Sequence, residues 1–471
     1  MSFIIYDIVF FALSLLAVGI FFYKKRKNFS IEGPLYLYRT KFGLNLIDRL
    51  SKKYSKVLKP LQYLIIFCGY ALMIFGMWFI IKIAYFYLTS PVLAKALKVP
   101  VIFPLLPYLP EIFKLDFLPP FYFTYWIIII ALIALPHEFA HGIYARFFKI
   151  KVHSTGFGFL RLFKIPLPFL AAFVEPAEKQ MEKKKITPQL AVIAAGTFAN
   201  IIVAILFVLL MWLFVIAAFT PAGVYFNTYA TKPVFIEDIN LINNISLVDS
   251  NNLNQIIKSS PEISTIETLN EKLIARSAIY DKGEIIGFEV YENSPAFKSN
   301  LSGAIQEING ENIKSYDNLR ETLGKYRPGD NITIITIKGK EKMNYEITLG
   351  DREGRAFLGV GVIPQRSSGI LGLFYTVAVK IKDPAIYYES NIGDFGIFIY
   401  ELLWWIIIVS FSVALMNMLP LGIFDGGRFF LLTIWGITKR KDIGEKAFKI
   451  VTALMLALLA VLMLKWFSIL F

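Results

Sequence analysis

The sequence has one cysteine, Cys68, only three histidines, and few charges: 18% of its 471 residues are Asp, Glu, Lys or Arg. One cysteine excludes an intrachain disulfide framework and a cysteine-ligated zinc site. Soluble domains ordinarily carry about 25% charged residues, so a purely soluble globular enzyme is excluded. With 56% hydrophobic residues, 16% aromatic residues and a mean hydropathy of +0.57, a disordered chain is excluded as well. Acid is scarcer than base, 35 residues against 49, for a net charge of +14. In a membrane protein such an excess marks cytoplasmic loops, so no nucleic-acid partner is expected.

What is present is a series of long apolar runs. Residues 4–23 are almost wholly apolar and end at Lys24-Lys25-Arg26-Lys27. A cleavable signal would carry that charge ahead of its apolar stretch, so a retained span with its N-terminus outside is expected. Further spans are expected at 61–88, about 121–148, about 190–219, 397–421 and 447–471, each long enough for about 30 Å of hydrocarbon. Residues 89–120 hold seven prolines and read as a loop or a broken re-entrant segment. The stretch 149–190 is basic, and its piece from Gly156 turns too often for a spanning helix, so β-like or re-entrant backbone is expected there.

The one long polar stretch, 223–364, carries 15 Lys/Arg against 19 Asp/Glu, a net of −4, while the rest of the chain stands at +18. An outside N-terminus places the basic segments 24–60, 149–189 and 437–449 in the cytoplasm and the acidic stretch outside, consistent with the positive-inside rule. The expectation is a polytopic α-helical membrane protein of about six spans, interrupted by a soluble α+β insert. Four segments follow: 1–120 with the first two spans, 121–222, the insert 223–364, and 365–471.

Two of the three histidines fall in Pro136-His137-Glu138-Phe139-Ala140-His141. Four residues apart on a helix, they share a face and can meet one metal ion, while Glu138 can act as general base toward a water that the metal acidifies. Buried in an apolar span without a partner, these side chains would be costly, which favours the metal over two ordinary core histidines. His153, which follows Lys149 and Lys151 in the basic stretch, reads as a solvated surface histidine. Asp425, in Asp425-Gly426-Gly427, lies at the same depth and on the same side as the histidines, and two nitrogens and one oxygen leave a fourth position open on zinc. The plainer reading of Asp-Gly-Gly is a turn.

Together and in this order, HEFAH, AGTFAN and NMLPLGIFDGG resemble the site-2 protease family of intramembrane zinc metalloproteases, over roughly 120–220 and 395–440. The resemblance implies that His137, His141 and Asp425 bind one zinc ion and that Glu138 is the catalytic acid/base. It also implies that Asn417 and Pro420 are the Asn-x-x-Pro pair, and that Asn200 is the asparagine of the second motif, with Thr197 where proline is common. The β-like stretch from Gly156 and Gly158 to Glu175 is similar to the family's membrane-associated loop, which meets an extended substrate. Within 284–350, the order Ser294-Pro295-Ala296, Ile308-Asn309-Gly310, Pro328-Gly329-Asp330 and two alternating runs resembles a PDZ domain, with 357–362 supplying a closing strand. Residues 225–282 fit that pattern less well, and a helix is expected near 267–279.

The expected activity is cleavage of single-span membrane proteins within the bilayer, near its cytoplasmic face, in the plasma membrane of a prokaryote. The insert reads equally as a binder of peptide or substrate tails and as a filter against bulky substrates. Two other readings compete: a membrane zinc transporter or sensor, and a prenyl-protein type of HExxH protease. The glutamate directly after the first histidine argues against the former, and Asp-Gly-Gly against the latter.

Overall fold

The computed structural model describes residues 3–33, 35–89, 105–115, 118–162, 165–247, 253, 256, 265–269, 271–281, 284–339, 341–362 and 369–470. Most of the proline-rich run expected to break, 90–104 with 116 and 117, lies outside these residues. The helices are α1 (Phe3–Lys25), α2 (Leu44–Lys53), α3 (Ser55–Thr89), α4 (Leu109–Ile112), α5 (Phe123–Phe147), α6 (Glu178–Glu182), α7 (Ile186–Ala218), α8 (Pro295–Lys298), α9 (Tyr316–Leu323), α10 (Gly369–Ile381), α11 (Asp394–Asn417), α12 (Asp425–Thr438) and α13 (Lys441–Leu470). Among the described residues six, α1, α3, α5, α7, α11 and α13, are long and apolar enough to cross a membrane. The 33 residues of α7 rise about 50 Å, more than a hydrocarbon core needs.

The chain divides into two compact units, Met1–Met211 with Phe398–Phe471, and Trp212–Ile397. In the first unit, α3, α5, α7 and α12 share a core built on Ile65, Ala145, Ala191, Ala194, Met418 and Phe429. Small residues bring these helices close: a Cβ on Gly69 would stand 3.1 Å from both Ala194 and Phe429. A second core joins the N-terminal half of α5 to α11 through Phe121, Trp126, Ile129, Trp405 and Ile406.

The first unit also holds a four-stranded antiparallel sheet in the order β1 (Phe29–Glu32), β2 (Leu35–Thr40), β3 (Val152–Leu162), β4 (Ile165–Pro176). The non-helical stretch expected after α5 is thus the β3–β4 hairpin, and the basic segment after α1 adds two strands to it. Arg39 on β2 reaches across Gly156 to Glu175 on β4 (3.2 Å), pairs with Glu32 on β1, and lies over the Phe173 ring. Gly156 must lack a side chain, because a Cβ would stand 2.2 Å from the Tyr38 carbonyl oxygen. Ser154 donates to Glu175 (2.6 Å), and that bond, with Arg39, holds the Glu175 carboxyl below its usual value against the opposing effect of burial.

In the second unit, β5 (Phe219–Tyr225) follows α7 directly. The next strands are β6 (Thr228–Tyr229), β7 (Thr231–Phe235), β8 (Leu241–Ile242), β9 (Ile245–Ser246), β10 (Thr265–Glu267), β11 (Lys272–Asp281), β12 (Glu284–Tyr291), β13 (Ala304–Ile308), β14 (Glu311–Asn312), β15 (Asn331–Lys338), β16 (Glu341–Thr348), β17 (Gly350–Arg352), β18 (Arg355–Phe357), β19 (Val360–Gly361) and β20 (Ile386–Ser390). One sheet runs β16-β15-β13-β5-β20, with β14 on β13, and packs with α9 over Ile305, Ile308, Leu319, Ile334 and Ile347. A second runs β7-β12-β11-β10-β8-β9 over its own core of Val234, Ile242, Ile266, Leu273 and Phe288.

The helix expected near 267–279 is therefore strand. Leu273 is buried and Ile274 exposed, a period-two alternation that burial against a sheet favours over the helix-compatible residues Lys272 and Arg276. The stretch 357–362 does not form one closing strand: β18 pairs with β17, and β19 pairs with β6. The compact unit is also wider than 223–364, because β5 at its start and β20 near its end are hydrogen-bonded neighbours.

Candidate metal centre

His137 and His141 lie on one face of α5, immediately after Pro136, whose ring removes a backbone donor from the helix. Gly196 and Asn200, also four residues apart, lie on the facing side of α7. A Cβ on Gly196 would stand 2.3 Å from His141 Nε2 and 2.6 Å from His137 Nε2, so only glycine lets α7 approach the imidazoles this closely. Asp425 opens α12 in its first turn, where a carboxylate suits the helix dipole. The two following glycines are what bring it there. Cβ atoms at Gly426 and Gly427 would lie 2.3 Å from the backbone of Met418 and Leu421, so the start of α12 can fold tightly onto the segment after α11. Asp-Gly-Gly is thus a helix start rather than a free turn.

The three side chains converge. Asp425 Oδ2 lies 3.3 Å from His137 Nε2 and 3.3 Å from His141 Nε2, and the two Nε2 atoms are 3.1 Å apart. These are the only such group of metal-ligating side chains found among the described residues. Ligands about 2.0–2.1 Å from one tetrahedral zinc ion stand about 3.3 Å from each other, so the separations fit a shared ion.

The supporting contacts fit too. His141 Nδ1 lies 2.7 Å from the Val192 carbonyl oxygen, a bond it makes as N–H donor, which leaves Nε2 with its lone pair. His137 Nδ1 lies 3.1 Å from the buried Asn200 amide, whose Oδ1 has no other partner; turned about its last torsion, that amide accepts from Nδ1–H and is satisfied.

Glu138 Oε2 accepts a hydrogen bond from the Val174 amide of β4 (2.9 Å). Besides a small crevice against β3 and β4, the glutamate borders two larger openings. One, of about 250 Å³, is walled by Ile129, Ile133, Val409 and Val413 and also reached by Asn200 and Asn417. The other, of about 210 Å³, is lined by His141, Asp425, Arg428 and Glu178. An apolar cleft and a polar opening thus meet at one carboxylate.

Other expected site residues stand differently. Pro420 is buried, and its carbonyl accepts from Thr452, which makes it a structural part of the segment after α11. Gly156 and Gly158 lie on β3, an interior strand paired on both edges, so their backbone has no free side for a substrate; among the described residues the outer strands are β1 and β4, and β4 is the one that meets Glu138. His153 is exposed on β3, apart from the cluster.

Sequence reasoning missed Val174, Val192 and Asp7. Asp7, on α1, is 1% exposed and caps α5: the backbone N–H groups of Phe123 and Thr124 donate to it at 2.7 and 2.9 Å, and Tyr108 donates at 2.6 Å. A lone acid in the first apolar run was the available signal.

This geometry describes a His-His-Asp group that could hold a metal ion, with a glutamate beside it, among apolar helices, an arrangement suited to a membrane metalloprotease. The sequence profile of Peptidase family M50 matches residues 125–462, and the chain belongs to that family, the site-2 proteases. The regulator of sigma E protease of Haemophilus influenzae is 24% identical over 71% of this chain and 95% of its own length. The zinc metalloprotease RasP of Shouchella clausii is 24% identical over 33% of this chain and 44% of its own. The structure of the PDZ domain of an SdrC-like protein from Listeria monocytogenes shares 25% identity over 14% of this chain and 75% of that one, with a TM-score of 0.14. The protein is an integral membrane metalloprotease, and the transporter reading is not favoured.

Proposed function

We propose that this protein is a zinc endopeptidase that cuts the spanning segments of single-span membrane proteins near the cytoplasmic face. The observation that carries the reading is the meeting of His137, His141 and Asp425 beside a glutamate that borders both an apolar cleft and a polar opening.

His137, His141 and Asp425 hold the zinc ion, which when bound acidifies a water and polarises a carbonyl. Asn200 and the Val192 carbonyl keep both imidazoles with Nε2 inward. The substrate helix unwinds in the cleft walled by α5 and α11 and pairs as a strand with the open edge of β4, while Asn417 donates to its backbone. Glu138 takes a proton from the attacking water and delivers it to the leaving amine. The acidic insert stands outside the cell in this reading. Its 770 Å³ groove between α9 and residues 352–360 bears Arg320 and Arg355 and suits peptide or substrate tails.

The test is cleavage of a panel of single-span substrates by the purified full chain in proteoliposomes. Glu138→Gln should retain one zinc per chain and lose at least about 10²-fold in turnover. Cleavage at the wild-type rate by Glu138→Gln, or full zinc content and activity in Asp425→Asn, would overturn the assignment.

A further inference from the structure

Among the described residues β4 is an edge strand, and away from β3 its Val174 N–H meets Glu138 beside the His–Asp cluster. Backbone groups on a strand alternate between its two sides. The Val174 N–H bonds Glu138 rather than β3, so Val174 and, two residues earlier, Ala172 direct their N–H and C=O groups outward. Pro176 has no N–H and ends the series. Along this edge Ala172 borders the apolar cleft, Val174 borders the polar opening, and Glu138 borders both. A peptide paired with this edge therefore runs from the cleft past Glu138. It needs the donor at Val174, and Glu138 already occupies that donor.

We propose that the Val174 amide is a shared donor that couples substrate docking to the readiness of the base. In the resting protein it holds the Glu138 carboxylate against β4. A docked substrate strand takes that N–H for its own carbonyl and frees Glu138 to face the metal centre. The base is then uncommitted only when an extended peptide lies on β4, which limits futile proton transfer in an empty site. This inference rests on the reading of β4 as the docking strand.

The test uses the full zinc-loaded chain in a Cys68→Ser background. The probe is an apolar peptide carrying one cysteine, with its central peptide bond replaced by a methylene-amine. Disulfide cross-linking to Ala172→Cys reports docking. Infrared difference spectra report the Glu138 carboxylate stretch, identified by its loss in Glu138→Gln. The expected result is a cross-link and a shift of that band when the peptide binds. In Val174→Pro, which removes the donor without breaking a ladder bond to β3, the band should already lie at the shifted position and not move further. A cross-link with an unmoved wild-type band overturns the shared donor and leaves the docking strand standing. Absence of the Ala172 cross-link overturns the docking strand, and the shared donor with it. The wild-type band decides the question alone if Val174→Pro does not fold.

Discussion

Gly196 and Asn200 show how much the convergence of His137, His141 and Asp425 can depend on residues outside that trio. The first admits the imidazoles because it has no side chain, and the second orients one of them. Gly196→Ala puts a methyl 2.3 Å from His141 Nε2 and 2.6 Å from His137 Nε2, so the imidazoles must shift. Zinc content by mass spectrometry should fall well below one per chain while the protein still inserts into membranes. Asn200→Ala removes the partner of His137 Nδ1 and should weaken zinc affinity by about 10–100-fold, read by competition with a chromophoric chelator. At this scale the sequence was most informative. Two histidines at helical spacing with a glutamate between them carry their chemistry in their order. Val174 and Val192 were illegible because they contribute backbone groups, which every residue has.

The first-unit sheet and α5 each rest on a buried or bridged carboxylate. Glu175 is held below its usual value of 4.5 by Ser154 and Arg39. A carboxyl lowered on folding adds stability that is complete above its unfolded value and is lost as pH falls through the lowered one. Acidification below about 4.5 should therefore loosen β2, β3 and β4, and hydrogen exchange of their amides should rise there. Arg39→Ala should move that onset to higher pH.

Asp7 is the corresponding group for α5. Asp7→Ala leaves two helix-start donors unpaired and should cost about 1–3 kcal/mol, seen as a lower Tm, with Asp7→Asn milder because it keeps one acceptor. The six long apolar helices were legible from run length alone. The expected helix near 267–279 was not helical, because a short amphipathic piece takes its form from the partner it packs on, and here that partner is a sheet.

For the whole molecule, the two compact units have separate hydrophobic cores; the unit of the membrane helices carries His137, His141 and Asp425, and among the described residues the other carries no such group. Metal binding stabilises only the structure that binds it. Chelation should lower the melting transition of the helical unit and leave that of 212–397 in place, as followed by calorimetry of the full chain in detergent. A single transition that moves as one would show the units to be thermodynamically coupled.

Hydropathy sufficed to declare a membrane protein, since no fold in water can hide this much apolar surface, and a five-residue motif sufficed to declare metal chemistry, since helical spacing is a local property. Two features were decided only by the folded chain: which outer strand lies beside the glutamate and what the glutamate bonds at rest; for Asp425, already implied by its motif, the fold supplied the 3.3 Å approach to both imidazoles. Each depends on contacts between segments far apart in sequence. The glycines of α7 and α12 allow the ligands to converge, and the N-terminal hairpin, by covering β3, leaves β4 as the outer strand beside Glu138.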